Sequence, residues 1–289
     1  MIFGIISALI AATLIALGNV FLKKSFATFP PSVSFFLIAI ISFLFWLPTG
    51  LLLDGGFRTD AVLFGIGIGI TSAVFGQLLY IILLEKGTLS VTVPLLSSYS
   101  IYTILFSAIL FGEHLSGMTL LYVSIAILGT TVVTIPERLH KKDLQQTKQL
   151  ILIITGAILI ATADTLTNVY IDTFSIGQFL FYVSIVQLVV GYIFLKNTKQ
   201  SLSQFTSIVK KYKEYTYALY GSFAISTGTL FLFLGFHFTF ASIVAPLVSI
   251  NPVLTVLLAF FYLHEKIKPK SLIGIILVLL ALIGLGFSV

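Results

Sequence analysis

Apolar residues fill this chain in ten blocks of about twenty, at 2–22, 33–53, 62–84, 90–111, 116–135, 150–171, 176–195, 217–236, 242–263 and 270–288. Within each block the hydrophobicity is continuous and does not alternate every second residue, which reads as helix and not as barrel strand. About twenty helical residues span the hydrocarbon core of a bilayer. The pattern therefore predicts an all-α integral membrane protein with ten transmembrane helices. The breaks between blocks are short and polar. The longest, 196–216, carries Phe205, Ile208, Val209 and Tyr212 at helical spacing beside Lys210, Lys211 and Lys213. It reads either as a short helix on the leaflet surface or as a solvated loop.

The pattern also repeats. Pro94, Leu95, Leu96 and Ser97 precede Glu113 by the same interval that separates Pro246, Leu247, Val248 and Ser249 from Glu265, at an offset of 152 residues (246 − 94). Thr103 and Leu105 return as Thr255 and Leu257 at the same offset. Upstream, Ala8, Ala12, Thr13, Leu17, Asn19 and Val20 return as Ala157, Ala161, Thr162, Leu166, Asn168 and Val169, at an offset of 149 (157 − 8). The expected organisation is one five-helix repeat over 1–135, a polar linker over 136–149 and a second five-helix repeat over 150–289. Five spans is an odd number, so the second copy enters the membrane from the opposite side. This predicts an inverted repeat, an architecture in which transporters place the substrate site between the halves.

Charge orients the chain. Charged residues are only 9% of it, where a soluble domain carries roughly a quarter. Of the 16 Lys and Arg, all but Arg58 fall in the breaks after the odd-numbered spans. The positive-inside rule then puts those breaks in the cytoplasm and both termini outside, in the cell membrane. The net charge of +6 is scattered over short loops, which argues against a nucleic-acid partner. The chain has no cysteine, so disulfides and thiolate metal sites are excluded. The first block lacks a basic leader and has Lys23 and Lys24 after it, which reads as a retained span and not a cleaved signal.

Polar residues inside spans cost several kcal/mol unless paired or wetted. In the sixth span Ala157, Ala161, Asp164, Asn168 and Asp172 share one helical face. In the first span the matching face is Ala8, Ala12, Ile15, Asn19 and Lys23. The copies disagree at two places, Ile15 against Asp164 and Lys23 against Asp172. Asp164 lies about 10 Å inside its span. It is the candidate proton-coupling residue or the anchor for a substrate ammonium group. The structural alternative is a carboxylate bonded to Asn168 or Thr165 that ties two helices together. Lys23 and Asp172 read as interfacial anchors. Gln77, Tyr80, Ser98, Tyr99, Tyr102 and Asn251 are candidates for the same substrate-binding cavity, together with Asn19 and Asn168. Tyr182, Gln187 and Ser249 lie close to them in the pattern. Prolines early in spans 4 and 9 leave backbone carbonyls without donors, which suits a wet site. Glu85 with His237, and Glu113 with Glu265, are symmetry-related pairs at span ends.

Ten spans in two halves, with Pro94…Phe111-Gly112-Glu113 and Pro246…Leu263-His264-Glu265 each closing the fourth span of a half, resemble the drug/metabolite transporter superfamily, in particular its EamA-type members. His264 stands where that family often has glycine, and Glu85-Lys86-Gly87 is a rough version of its usual end of span 3. The resemblance implies an alternating-access carrier whose cavity is walled by spans 1–4 and 6–9. Spans 5 and 10 would lie to the side, supporting the structure or forming a homodimer contact. It also implies a small-molecule substrate, such as an amino acid or related metabolite, moved outward. No cofactor and no metal is expected. A lipid or lipid-linked carrier of the same fold is the alternative, and would have a cavity open to the bilayer and lined by Phe and Leu. A membrane enzyme is less well supported, because no loop holds carboxylates or histidines at ligand spacing and there is no Gly-rich phosphate loop.

Overall fold

The computed structural model describes residues 2–27, 29–53, 62–86, 93, 96, 99–111, 116–134, 143–198, 212–264 and 269–288. Among them every regular element is a helix. The first half holds α1 (Ile2–Ser25), α2 (Pro31–Leu53), α3 (Val62–Thr71), a π-helical turn at Ser72–Leu78, α4 (Leu79–Lys86), α5 (Tyr99–Phe111) and α6 (Gly117–Thr134). The second holds α7 (Asp143–Thr173), α8 (Ile176–Asn197), α9 (Tyr212–Phe238), α10 (Ala241–Val248), α11 (Asn251–Leu263) and α12 (Pro269–Ser288). Six segments are long and apolar enough to cross a membrane: Ile2–Ser25, Pro31–Leu53, Val62–Glu85, Ile151–Thr173, Ile176–Asn197 and Tyr215–Phe238. Shorter apolar helices cover Tyr99–Leu110 and Asn251–Leu263. The protein is therefore a helical multi-pass membrane protein.

Two expectations shift. The linker over 136–149 is not all loop: α7 starts at Asp143 and runs without a break into the apolar block. The ninth apolar block is also broken, ending α10 at Val248 and starting α11 at Asn251. Pro252 sits at the start of α11 and cannot donate to the Val248 carbonyl four residues back. The 196–216 segment, Glu113 and Glu265 lie mostly or wholly outside the described residues.

The two halves pair by exchange. The second helices of each copy, α2 and α8, cross antiparallel: Gly50 lies against Gly177 and Leu180, and Gly191 against Phe36 and Ala39. Equivalent helices thus run in opposite directions. α1 lies against α9 along its length, with Gly4 facing Thr239, Gly18 facing Ile225 and Gly221 facing Leu22. Small residues let these backbones approach, and in lipid such van der Waals contact is a main source of association. In the symmetric pair α7 lies against α3, the π turn and α4, with Gly65 meeting Tyr170 and Gly156 meeting Leu83. α6 and α12 pack on each other to one side, with Gly284 backed by Tyr122.

His264 ends α11 with φ 54° and ψ 31°, and its N–H donates to the Ala259 carbonyl. A side chain in this left-handed region costs about 1–2 kcal/mol, which glycine avoids. That explains the glycine seen at this place in the family the sequence resembles. His264→Gly is expected to raise the unfolding free energy by about 1 kcal/mol. Thermal unfolding in detergent measures it, and a lowered midpoint would contradict the backbone argument.

Candidate functional site

The site arises where one half departs from the other. α9 is continuous α-helix through Gly221 and Gly228. Subtracting 152 gives Gly69 and Gly76, and there the first half carries the π turn, closed by the Leu79 N–H donating to the Val74 carbonyl. A π turn widens a helix locally and recurs at functional sites. An added Cβ at Gly228 would lie 2.9 Å from Ile15 Cγ1 and 3.1 Å from the Ile15 nitrogen, so α9 is seated on α1. An added Cβ at Gly76 would meet nothing nearer than Ser72 Oγ at 3.8 Å and Ala163 Cβ at 4.0 Å. α7 thus meets the π turn at ordinary van der Waals distance, where its symmetric counterpart is tightly seated.

Gly76 lines a cavity of about 70 Å³. Its walls come in symmetry-related pairs: Ile15 with Asp164 at offset 149, and Gln77 with Thr229, Tyr80 with Leu232, Ile81 with Phe233 and Tyr99 with Asn251 at offset 152. The remaining lining is Ile38, Ser72, Gly76, Ile160, Ile225 and Val248. Two of the pairs set a polar residue against an apolar one, Asp164 against Ile15 and Tyr80 against Leu232. Ser72, Gln77, Tyr80, Tyr99 and Asp164 gather on the wall made by the π turn, α4, α5 and α7. The wall made by α1, α9 and α10 presents Ile15, Ile225, Leu232, Phe233 and Val248, with Thr229 its one polar residue.

Asp164 is 7% exposed and lines the cavity. Among the described residues nothing donates to its carboxylate. The structural alternative is not realised: Asn168 donates to the Phe236 carbonyl (3.1 Å) and Thr165 to the Ala161 carbonyl (2.8 Å). Tyr99 stands within electrostatic reach of Asp164.

Of the other sequence-predicted residues, Gln77, Tyr80, Tyr99 and Asn251 line the cavity beside Asp164. Gln77 Oε1 accepts from Gln187 Nε2 (2.7 Å), while Gln77 Nε2 is buried without a partner. Gln187 thus acts behind the wall, and Tyr182 packs in the core with Trp46 and Phe233. Asn19 does not line the cavity. Its Nδ2 donates to Asn251 Oδ1 (3.3 Å) and Thr255 Oγ1 (3.4 Å), which ties α1 to the break before α11. The Tyr80 hydroxyl lies beside Asn19 without closing a hydrogen bond to it. Asn168 ties α7 to α9 and also stays out of the lining. Tyr102 packs against the cluster of Leu83, Leu96 and Ala157. Ser98 lies outside the described residues.

Sequence reasoning did not single out Thr229, Ser72 or Gly76 for the cavity. Thr229 and Ser72 are hydroxyls like many others in the spans. The offset of 152 from Gln77 to Thr229 was a usable signal. The one tryptophan, Trp46, donates to the Ser226 carbonyl (3.0 Å) and stands edge-on to Phe233 at 5.3 Å between ring centres. It reports on the cavity wall from behind.

The second broken pair lies at the helix ends. Lys23 Nζ donates to the Leu84 (3.2 Å) and Glu85 (2.9 Å) carbonyls, where a cation suits the negative end of a helix. In the other half Asp172 faces His237. Each half thus links its first helix to the end of its third with the charges exchanged.

A family model described as the EamA-like transporter family matches the chain twice, over residues 2–135 and 147–287. An uncharacterized protein of Methanocaldococcus jannaschii is 36% identical over 81 residues, which make up 28% of this chain and 59% of that protein. The chain thus spans about three fifths of the length of that curated relative. A protein known from its crystal structure superimposes with a TM-score of 0.66 at 16% identity, covering 98% of this chain and 99% of that one. At that identity the likeness is one of fold.

Proposed function

This chain belongs to the EamA-like transporter family, and from that premise we propose that it carries a small organic solute, an amino acid or related metabolite, across the cell membrane by alternating access. The observation that carries this reading is the cavity between symmetry-related walls, with room for a side chain at Gly76 and none at Gly228. Exchanging the two arrangements would expose the cavity to the other side, as inverted repeats allow. Asp164 is the coupling residue, taking a proton or a substrate cation. Gln77, Tyr80, Tyr99 and Asn251 contact the solute, and Asn19 and Asn168 hold the helices that bear them. By the sequence pattern Ser98 and Tyr102 join them as solute contacts.

The rest of the architecture follows from the sequence pattern. Ten spans form two five-helix halves over 1–135 and 150–289, joined by a cytoplasmic linker at 136–149. Both termini lie outside, export is the direction, and the outer faces of α6 and α12 offer a homodimer contact. A lipid carrier is disfavoured by the lining, where Leu232 and Phe233 are the only leucine and phenylalanine.

A thermal-shift screen of small metabolites tests the reading, with Trp46 emission as the second readout. A ligand at 100 times its Kd adds about 2.7 kcal/mol to apparent stability. A true substrate stabilises the wild type, fails to stabilise Gly76→Leu, in which a side chain occupies the cavity, and crosses proteoliposome membranes. Ligands that stabilise both proteins equally would contradict the site.

A further inference from the structure

Resting on the transport reading, we propose that the solute is an amphipathic organic monocation, an amine without a carboxylate. Its ammonium group sits at Asp164 and its apolar body lies against the α1 and α9 wall. Four observations lead there. First, Asp164 is the one charged residue in the interior of the ten apolar blocks, and Lys270 only begins the tenth. The segment 87–98, of which only Val93 and Leu96 are among the described residues, adds no Lys, Arg or His. The carboxylate therefore has no counter-charge of its own within the spans, and a buried ion is tolerated when a partner of opposite sign sits beside it. Second, its oxygens receive no hydrogen bond from the described residues, so they are free to accept from an ammonium group. Third, Tyr80 and Tyr99 lie on the same wall, and aromatic faces attract organic cations. Fourth, the opposite wall is apolar at Ile15, Ile225, Leu232 and Phe233, and at Ile15 and Leu232 symmetry alone would have repeated the polar Asp164 and Tyr80. A zwitterion would bring a second carboxylate into a cavity with no cation to meet it.

The test uses three probes of one shape: phenethylamine (cation), phenylalanine (zwitterion) and phenethyl alcohol (neutral). Binding to the purified protein is read by Trp46 emission and by thermal shift. The amine is expected to bind about tenfold tighter, or more, than either of the others. Asp164→Asn is expected to remove that preference, so that the amine binds no more tightly than the alcohol. Phenylalanine binding as tightly as the amine in the wild type would overturn the proposal, and this comparison needs no variant to fold. An amine preference that survives in Asp164→Asn would overturn it as well, as would failure of the amine to bind. The two readings fail separately. A cavity that prefers the zwitterion and still transports overturns the substrate class alone. An amine held at Asp164 that never crosses a proteoliposome membrane overturns the transport reading alone.

Discussion

Replacing Asp164 by asparagine is expected to abolish transport driven by a pH gradient while the protein stays folded. Asparagine has nearly the same size and shape, so the packing around α7 is preserved. No described residue donates to the Asp164 carboxylate, so the substitution breaks no existing hydrogen bond. The thermal midpoint should move by less than about 3 °C, the shift that roughly 1 kcal/mol produces in a protein of this order of size. What is lost is the group that changes charge. Asn168 cannot replace it, because its amide is committed to the Phe236 carbonyl. A pH step across proteoliposomes, inside against outside, measures the effect. Undiminished pH-driven transport in Asp164→Asn would remove Asp164 from the coupling role, and a collapsed fold would show that the carboxylate is structural.

The second large effect is an asymmetry between two glycines that the repeat relates. Gly228→Ala should destabilise the protein by about 1–3 kcal/mol, the usual cost of overpacking. The new methyl group would meet Ile15 Cγ1 at 2.9 Å and the α1 backbone at 3.1 Å, and backbone cannot step aside. Gly76→Ala should be neutral or stabilising, since its nearest neighbours would be 3.8 and 4.0 Å away. Alanine is also the better helix former by about 1 kcal/mol. The same Gly76→Ala variant should transport more slowly, because closing the α7 side brings the π turn towards the position that α9 already holds on α1. Thermal midpoints of the two variants, measured side by side, decide the first half of this prediction. Equal destabilisation would mean that the room at Gly76 is not a property of the protein.

The duplicated pattern was legible because membrane spans leave a periodic record: Asn19 and Asn168, or Gly76 and Gly228, recur at fixed offsets. The polar stripe on the first and sixth spans also pointed at Asp164. What the pattern could not tell was which neighbour each stripe faces. Asn19 and Asn168 share the stripe with the cavity residues, yet each turns to another helix and fastens it. A helical face is about 100° wide, so residues on one stripe can reach different partners. The π turn had no signature, because Ser72–Leu78 and its counterpart 224–230 are both mixtures of apolar and small polar residues with one glycine in register. The same local sequence type is α-helical in one half and π-helical in the other, so the difference lives in tertiary packing. The break at Ser249–Ile250 was half legible: Pro252 announced it, and its place against the cavity emerged only from the fold.

Because the chain has no cysteine, an introduced cysteine is the only thiol present. The most direct test is to label two single-cysteine variants in proteoliposomes with a water-soluble thiol reagent. Gly76→Cys, on the cavity wall, is expected to react and to lose transport on labelling. Leu22→Cys, in the closed α1–α9 contact, is expected to stay unlabelled. Reaction at Leu22→Cys with none at Gly76→Cys would contradict a solute path that lies between the π turn and α7.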